Sequence, residues 1–134
     1  MRRALLDDAL SNLLAPWVQA LDLRVESFAA DSVTLRLPHS AHLSRVGGML
    51  CGQAMMAAAD TAMVLALVQH FGVFRPCTTV QLNASFLKPL SGQDAVVQAT
   101  VLRVGKSLAF GEIDLRGADD GRSVSRASTT YALL

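Results

Sequence analysis

Gly52-Gln53-Ala54-Met55-Met56-Ala57-Ala58-Ala59-Asp60-Thr61-Ala62-Met63-Val64-Leu65-Ala66-Leu67-Val68-Gln69-His70 is the stretch whose reading decides the fold. It holds no proline and no internal glycine, and Phe71-Gly72 supplies a stop. The spacing predicts a helix over 52–70. Apart from Asp60, Thr61 and the two ends it is apolar on every face, so the expectation is a core helix wrapped on all sides. The apolar run Ala54–Val68 falls short of the ~20 residues that cross a bilayer. Asp60 at its middle would cost ~2.5–3.5 kcal/mol on insertion scales, so a buried helix is expected and no membrane.

Working outward, Leu5, Leu6, Leu10, Leu13 and Leu14 stand at helical spacing before Pro16, which places an amphipathic N-terminal helix within residues 1–20. Leu21, Leu23 and Val25 alternate with charged residues, and Val33, Leu35 and Leu37 alternate with polar ones across an Ala30-Asp31 turn: a hairpin ending at Pro38. An irregular stretch, 39–50, carries Gly47-Gly48. Beyond the helix a strand is expected over 78–88, with Val80, Leu82, Ala84 and Phe86 on one face. Strands over 95–104, 107–116 and 122–133 follow, and Gly105-Lys106 reads as a two-residue type II′ turn. One antiparallel sheet wrapped around one long apolar helix is the simplest packing of these parts, an α+β single domain over 1–134.

The chain has 134 residues, 51% hydrophobic and 17% charged, with a net charge of +1. That composition excludes a disordered tail, a low-complexity protein and a disulfide scaffold. Without a lysine or arginine run no nucleic-acid partner is expected. So apolar a small body has surface to hide, which points to an oligomer. Asp7 and Asp8 interrupt the apolar start too early for a secretion signal, and two cysteines, Cys51 and Cys77, fit a reducing compartment; a cytoplasmic location is expected.

Two features carry chemistry. Asp60 on an apolar helix is either hydrogen-bonded structure or a general base or nucleophile in a dry cleft. The glycine-bearing entry Gly48-Met49-Leu50-Cys51-Gly52-Gln53 brings free N–H groups and the helix dipole to a site suited to a developing oxyanion. Eight residues separate Gly52 from Asp60, so ~12 Å of helix axis lies between them. One carbonyl cannot touch both in one chain. If both serve one substrate, Asp60 comes from a second subunit, and the expectation is a homodimer with composite sites.

The order Gly48-x-x-Cys51-Gly52-x₇-Asp60-Thr61-Ala62, then Thr79-Val80-x-Leu82-x-x-x-Phe86-Leu87-x-Pro89, then Gly105-Lys106-Ser107-Leu108 resembles a hotdog-fold acyl-CoA thioesterase of the phenylacetate-pathway (PaaI-type) branch. The likeness runs from about residue 21 to the end. It implies the hotdog fold, dimers pairing into homotetramers, an acyl-CoA substrate, and no metal or organic cofactor. Carried over by position, Asp60 is the catalytic carboxylate, the Gly52 N–H polarises the thioester carbonyl, and Thr79 helps orient the attacking water. Gly105 and Lys106 fall where the hairpin borders coenzyme A. Gly48, Cys51 and Gln53 lie along the substrate entry. From the residues themselves, the only two lysines, Lys88 and Lys106, are either ordinary surface lysines or a cationic rim for coenzyme A phosphates, assisted by Arg45, Arg75 or Arg103. The chain departs from the family where His-Gly-Gly becomes Cys51-Gly52-Gln53, and where an Asn becomes Arg45 or, with one residue inserted, Ser44. Two alternatives stay open: a non-catalytic acyl-CoA-binding hotdog protein, and an enoyl-CoA hydratase or dehydratase with His42 as helper.

Overall fold

The computed structural model describes residues 1–134. Helix α1 spans Arg2–Asn12 and a short α2 spans Pro16–Gln19. Pro16 therefore follows the end of the first helix and opens a second at its N1 position, where a missing N–H costs nothing. Helix α3, Gly52–Phe71, ends on Gly72 in the left-handed conformation at φ 74°, with the Gly72 N–H bonded to Val68 O. By length and composition α3 could cross a bilayer, but 67% of its most apolar window is buried inside the fold.

Six strands follow the expected order: β1 Arg24–Ala29, β2 Ser32–Leu37, β3 Cys77–Phe86, β4 Ala95–Val104, β5 Leu108–Gly117 and β6 Ser123–Leu133. They form one antiparallel sheet in the order β1-β2-β4-β5-β6-β3. α3 lies across the inner face, chiefly against β4 and β2. Val33, Leu35, Val97, Ala99, Ala109, Ile113 and Leu115 close on its buried side. This is the hotdog arrangement of a sheet curled about a helix.

Three local expectations are corrected. α3 is not wrapped on all sides: Gln53, Met56, Ala57, Asp60 and Val64, at helical spacing, form one stripe left partly or fully exposed. Val80 does not share a face with Leu82, Ala84 and Phe86. β3 carries a bulge between Thr79 and Gln81. Thr79 opposite Tyr131 and Leu82 opposite Thr129 both turn inward, while Val80 is pushed out to 60% exposure. Lastly, Gly105-Lys106 is not a type II′ turn. The Gly105 N–H donates to Leu108 O, so the two loop residues are Lys106 and Ser107, and Gly105 lacks the positive φ that such a turn needs at its first position.

Close approach of helix and sheet requires one glycine. A Cβ on Gly111 of β5 would stand 2.4 Å from Met63 Sδ, so its absence lets α3 settle onto the sheet one turn beyond Asp60.

Candidate active site

The N-terminus of α3 is reached from the 39–51 segment, which is tied down at several points. Cys51 N–H donates to Leu43 O, and Leu50 N–H to Leu90 O. The turn holding Gly47 and Gly48, both at positive φ, closes through Arg45 N–H to Met49 O and Gly48 N–H to Arg45 O. Cys51 is the N-cap, its Sγ accepting from the Ala54 N–H at 3.4 Å. The N–H groups of Gly52 and Gln53 have no partner within the chain. They are the two free donors at the positive end of a 20-residue helix.

Cavities open on both sides of this helix start. The first, about 350 Å³, sets Arg45 and Lys88 at a rim over Met49, Leu50, Gly52, Met55 and Phe86. Phe86 covers Gly52 closely, its ring atoms 3.5–3.9 Å from where a Cβ would stand. The second, about 310 Å³, is more apolar and places Cys51, Gln53 and His42 beside Trp17, Leu21 and Leu43. Five of the expected substrate-contacting residues thus gather around one helix end, two of them on the far side from Gly52. Gly48 sits in the turn outside both cavities, and a Cβ there would meet nothing within 4 Å.

Asp60 lies elsewhere, on the uncovered stripe of α3. Thr79 Oγ1 donates to Asp60 Oδ1 at 2.9 Å, a contact made possible by the β3 bulge. Tyr131, 1% exposed, places its hydroxyl 2.5 Å from the same Oδ1 and 3.0 Å from the Asp60 backbone O. Burial, and then the Asp60 charge, push the Tyr131 phenol far above its ordinary range, so it remains a donor. Burial, with a smaller contribution from Asp60, also raises the Cys77 thiol. Asp60 Oδ2 takes no hydrogen bond from the protein. The single buried side-chain polar atom without a partner is Gln69 Oε1, so Oδ2 is open to solvent. One carboxylate oxygen is anchored and the other is free to act as base or nucleophile.

The expected residues fall into three places. Asp60 and Thr79 are brought together. Gly52, Arg45 and Lys88 are brought together around the first cavity, which does not include Asp60. Gly105 and Lys106 lie at the other end of the sheet, where Leu133 N–H bonds to Ser107 O and β3 begins. A ten-residue strand of roughly 30 Å separates that end from Phe86. His42, the helper that a hydratase would need, lines the second cavity and is not a partner of Asp60. Sequence reasoning misses Tyr131. Its signal is present in the inward alternation Ser125, Ala127, Thr129, Tyr131, Leu133 and in its being the one tyrosine, but nothing local ties it to residue 60. Phe86 reads as strand, and its cover over Gly52 shows only in three dimensions.

Comparisons with known proteins bear on the family and the fold. Residues 47–124 match the family model described as Thioesterase superfamily. A Thermoplasma acidophilum protein whose name records an inferred esterase is 25% identical over 116 residues, 86% of each chain. Human acyl-coenzyme A thioesterase 13 is 34% identical over 59 residues, 43% of this chain and 42% of that one. Among solved structures, a variant of the phenylacetic acid degradation protein PaaI from Thermus thermophilus superposes with a TM-score of 0.78 at 21% identity, covering 90% of this chain and all of that one.

Proposed function

The chain belongs to the thioesterase superfamily, and on that premise we propose that it hydrolyses the thioester of an acyl-CoA to free acid and coenzyme A, as a PaaI-type enzyme. The carrying observation is the Asp60 carboxylate, anchored at Oδ1 and open at Oδ2 on the uncovered face of α3. A thioester carbonyl receives the Gly52 N–H, which stabilises the oxyanion as it forms. Donors of this type are worth ~10²–10³ in rate. With Asp60 as base, a water oxygen bonds to the carbonyl carbon while its proton passes to Oδ2. The C–S bond then breaks, its electron pair leaves on sulfur, and the thiolate takes up the proton. With Asp60 as nucleophile, Oδ2 bonds the carbon, thiolate leaves, and water cleaves the resulting anhydride.

Gly52 and Asp60 on one helix are ~12 Å apart along its axis, so the acting carboxylate belongs to a second copy of the chain. The uncovered stripe Gln53-Met56-Ala57-Asp60-Val64 and the neighbouring edge strand β3, with Val80 and Phe86 exposed, supply the surface for that copy. A homodimer with two composite sites follows, pairing further into a homotetramer. The partner's Gly105–Lys106 hairpin would then approach the Arg45 and Lys88 rim, where coenzyme A phosphates bind. The setting is cytoplasmic, where acyl-CoA is made and used.

A panel of short, medium and aromatic acyl-CoAs, assayed for thiol release with wild type and Asp60→Asn, tests the reading. Turnover that collapses in a folded Asp60→Asn supports it. Equal activity in both sinks Asp60 chemistry. One observation favours a second reading, a silent acyl-CoA binder: Cys51, which stands where the resembled family pattern reads histidine, is spent on capping α3. Binding of acyl-CoA without thiol release would establish that reading instead.

A further inference from the structure

Asp60 is held by two hydroxyls that reach it from two different strands. Thr79 comes from the edge strand β3 and Tyr131 from its neighbour β6, and the bulge in β3 sets them opposite each other. A carboxylate oxygen offers about two acceptor positions, and both donors converge on Oδ1. Without them the terminal torsion of an aspartate is broad and nearly two-fold, so its two oxygens exchange places. With them, the oxygens are no longer equivalent.

We propose that Tyr131 is a positioning residue for the hydrolysis: its buried hydroxyl, together with Thr79, pins Asp60 Oδ1 so that Oδ2 alone meets the attacking water or the thioester carbon. This rests on the acyl-CoA thioesterase reading. Tyr131 keeps its proton throughout. It donates to Oδ1, while the proton from water, or the new bond to carbon, is carried by Oδ2. The phenol suits that task better than a second threonine because it reaches from the buried face of the sheet and brings no water with it: Tyr131 is 1% exposed. The Asp60 backbone carbonyl lies 3.0 Å from the same hydroxyl, whose single proton goes to the nearer and charged Oδ1.

Two measurements test the proposal. Tyr131→Phe preserves the ring and deletes one charge-assisted hydrogen bond. We expect kcat to fall about ten- to a hundredfold, with KM within about twofold of wild type and an unchanged circular dichroism spectrum. The second needs no substrate. Because Tyr131 is the sole tyrosine, near-ultraviolet phenolate absorbance reads it alone. The ionisable groups facing it are Asp60 from α3 and Cys77 from β3, with Thr79 as a neutral neighbour and the apolar Ala109 opposite it on β5. Asp60→Asn removes the charge, so its phenol should ionise at a lower pH than that of wild type, whereas Cys77→Ala should move it less. An active wild type with Tyr131→Phe at full kcat overturns the proposal and leaves the thioesterase reading intact. A phenol in Asp60→Asn that ionises no earlier than that of wild type, with circular dichroism showing both chains still folded, overturns it as well. A wild type that releases no thiol from any acyl-CoA overturns both readings together.

Discussion

Replacing Gly111 by alanine is the sharpest test of how the sheet places α3. A Cβ at this position would lie 2.4 Å from Met63 Sδ, 2.5 Å from Met63 Cε and 3.0 Å from the Thr100 carbonyl oxygen. Real contacts of a methyl carbon do not approach 2.4 Å, so something must move. Met63 is the flexible partner, but it is fully buried and its neighbours on the helix, Ala59, Ala62 and Ala66, are themselves packed. Overpacking of this kind costs about 1–3 kcal/mol. Alanine offsets a few tenths to ~1 kcal/mol of that through its lower backbone entropy in a strand. A net loss of about 1–2 kcal/mol corresponds to a fall in Tm of roughly 3–10 °C for a chain of this length. Thermal unfolding followed by circular dichroism reads it directly. A double-mutant cycle assigns the cause. Met63→Ala alone should cost about 2–5 kcal/mol through its cavity. In that background Gly111→Ala should cost less than about 0.5 kcal/mol, because the new methyl enters the vacated space. A Tm for Gly111→Ala within a degree or so of wild type, or strict additivity in the cycle, refutes the claim that this glycine sets the distance between α3 and β5.

Three further outcomes are expected. Asp94 accepts from the His39 N–H at 2.6 Å and from Arg36 at 2.8 Å, and those two bonds hold its carboxyl below the ordinary range. Its stabilisation is therefore complete above the unfolded-state pKa and is lost as pH falls below about 4; Asp94→Asn should lower Tm at neutral pH, with the gap to wild type closing in acid. Cys51→Ser replaces a long sulfur cap by a better acceptor for the Ala54 N–H and should raise the urea midpoint by an amount equivalent to a few tenths to ~1 kcal/mol; an unchanged midpoint would show that the thiol caps as well as a hydroxyl. Lys88→Ala and Arg45→Ala each remove a cation from the rim of the first cavity and should raise KM for acyl-CoA several-fold with little change in kcat, an effect that should shrink as salt is added.

The composite site proposed above would account for an apolar helix that carries one acidic residue. The buried face of α3 is spent on the sheet and on α1. In that proposal the stripe through Asp60 is covered by a second copy, which would keep the carboxylate dry and bring it to a ligand held at the partner's helix start. Size-exclusion with light scattering decides this point: a monomer at micromolar concentration removes the second subunit and with it the meeting of Gly52 and Asp60.

Much of this is written locally in the chain. The α3 stretch reads as a core helix because its apolar residues leave no polar face, and Gly72 ends it because a left-handed residue suits glycine. The strands read from their alternation, since a period of two is enforced by the pleat. Asp60 stands out because an ionisable group amid alanines and leucines needs a reason to be there. Other features depend on what lies across the sheet. The bulge at Val80 breaks the period of two, and no residue in Thr78-Thr79-Val80-Gln81 marks it; it arises from how β3 must pair with β6 while Thr79 turns toward the helix. Tyr131 is 71 residues from Asp60, so their hydrogen bond exists only because the fold lays β6 beside the helix. The uncovered stripe has the same origin: an all-apolar helix states that it is to be buried, but which of its faces this chain covers, and which it leaves open, is decided by the order of the strands and the area of one sheet.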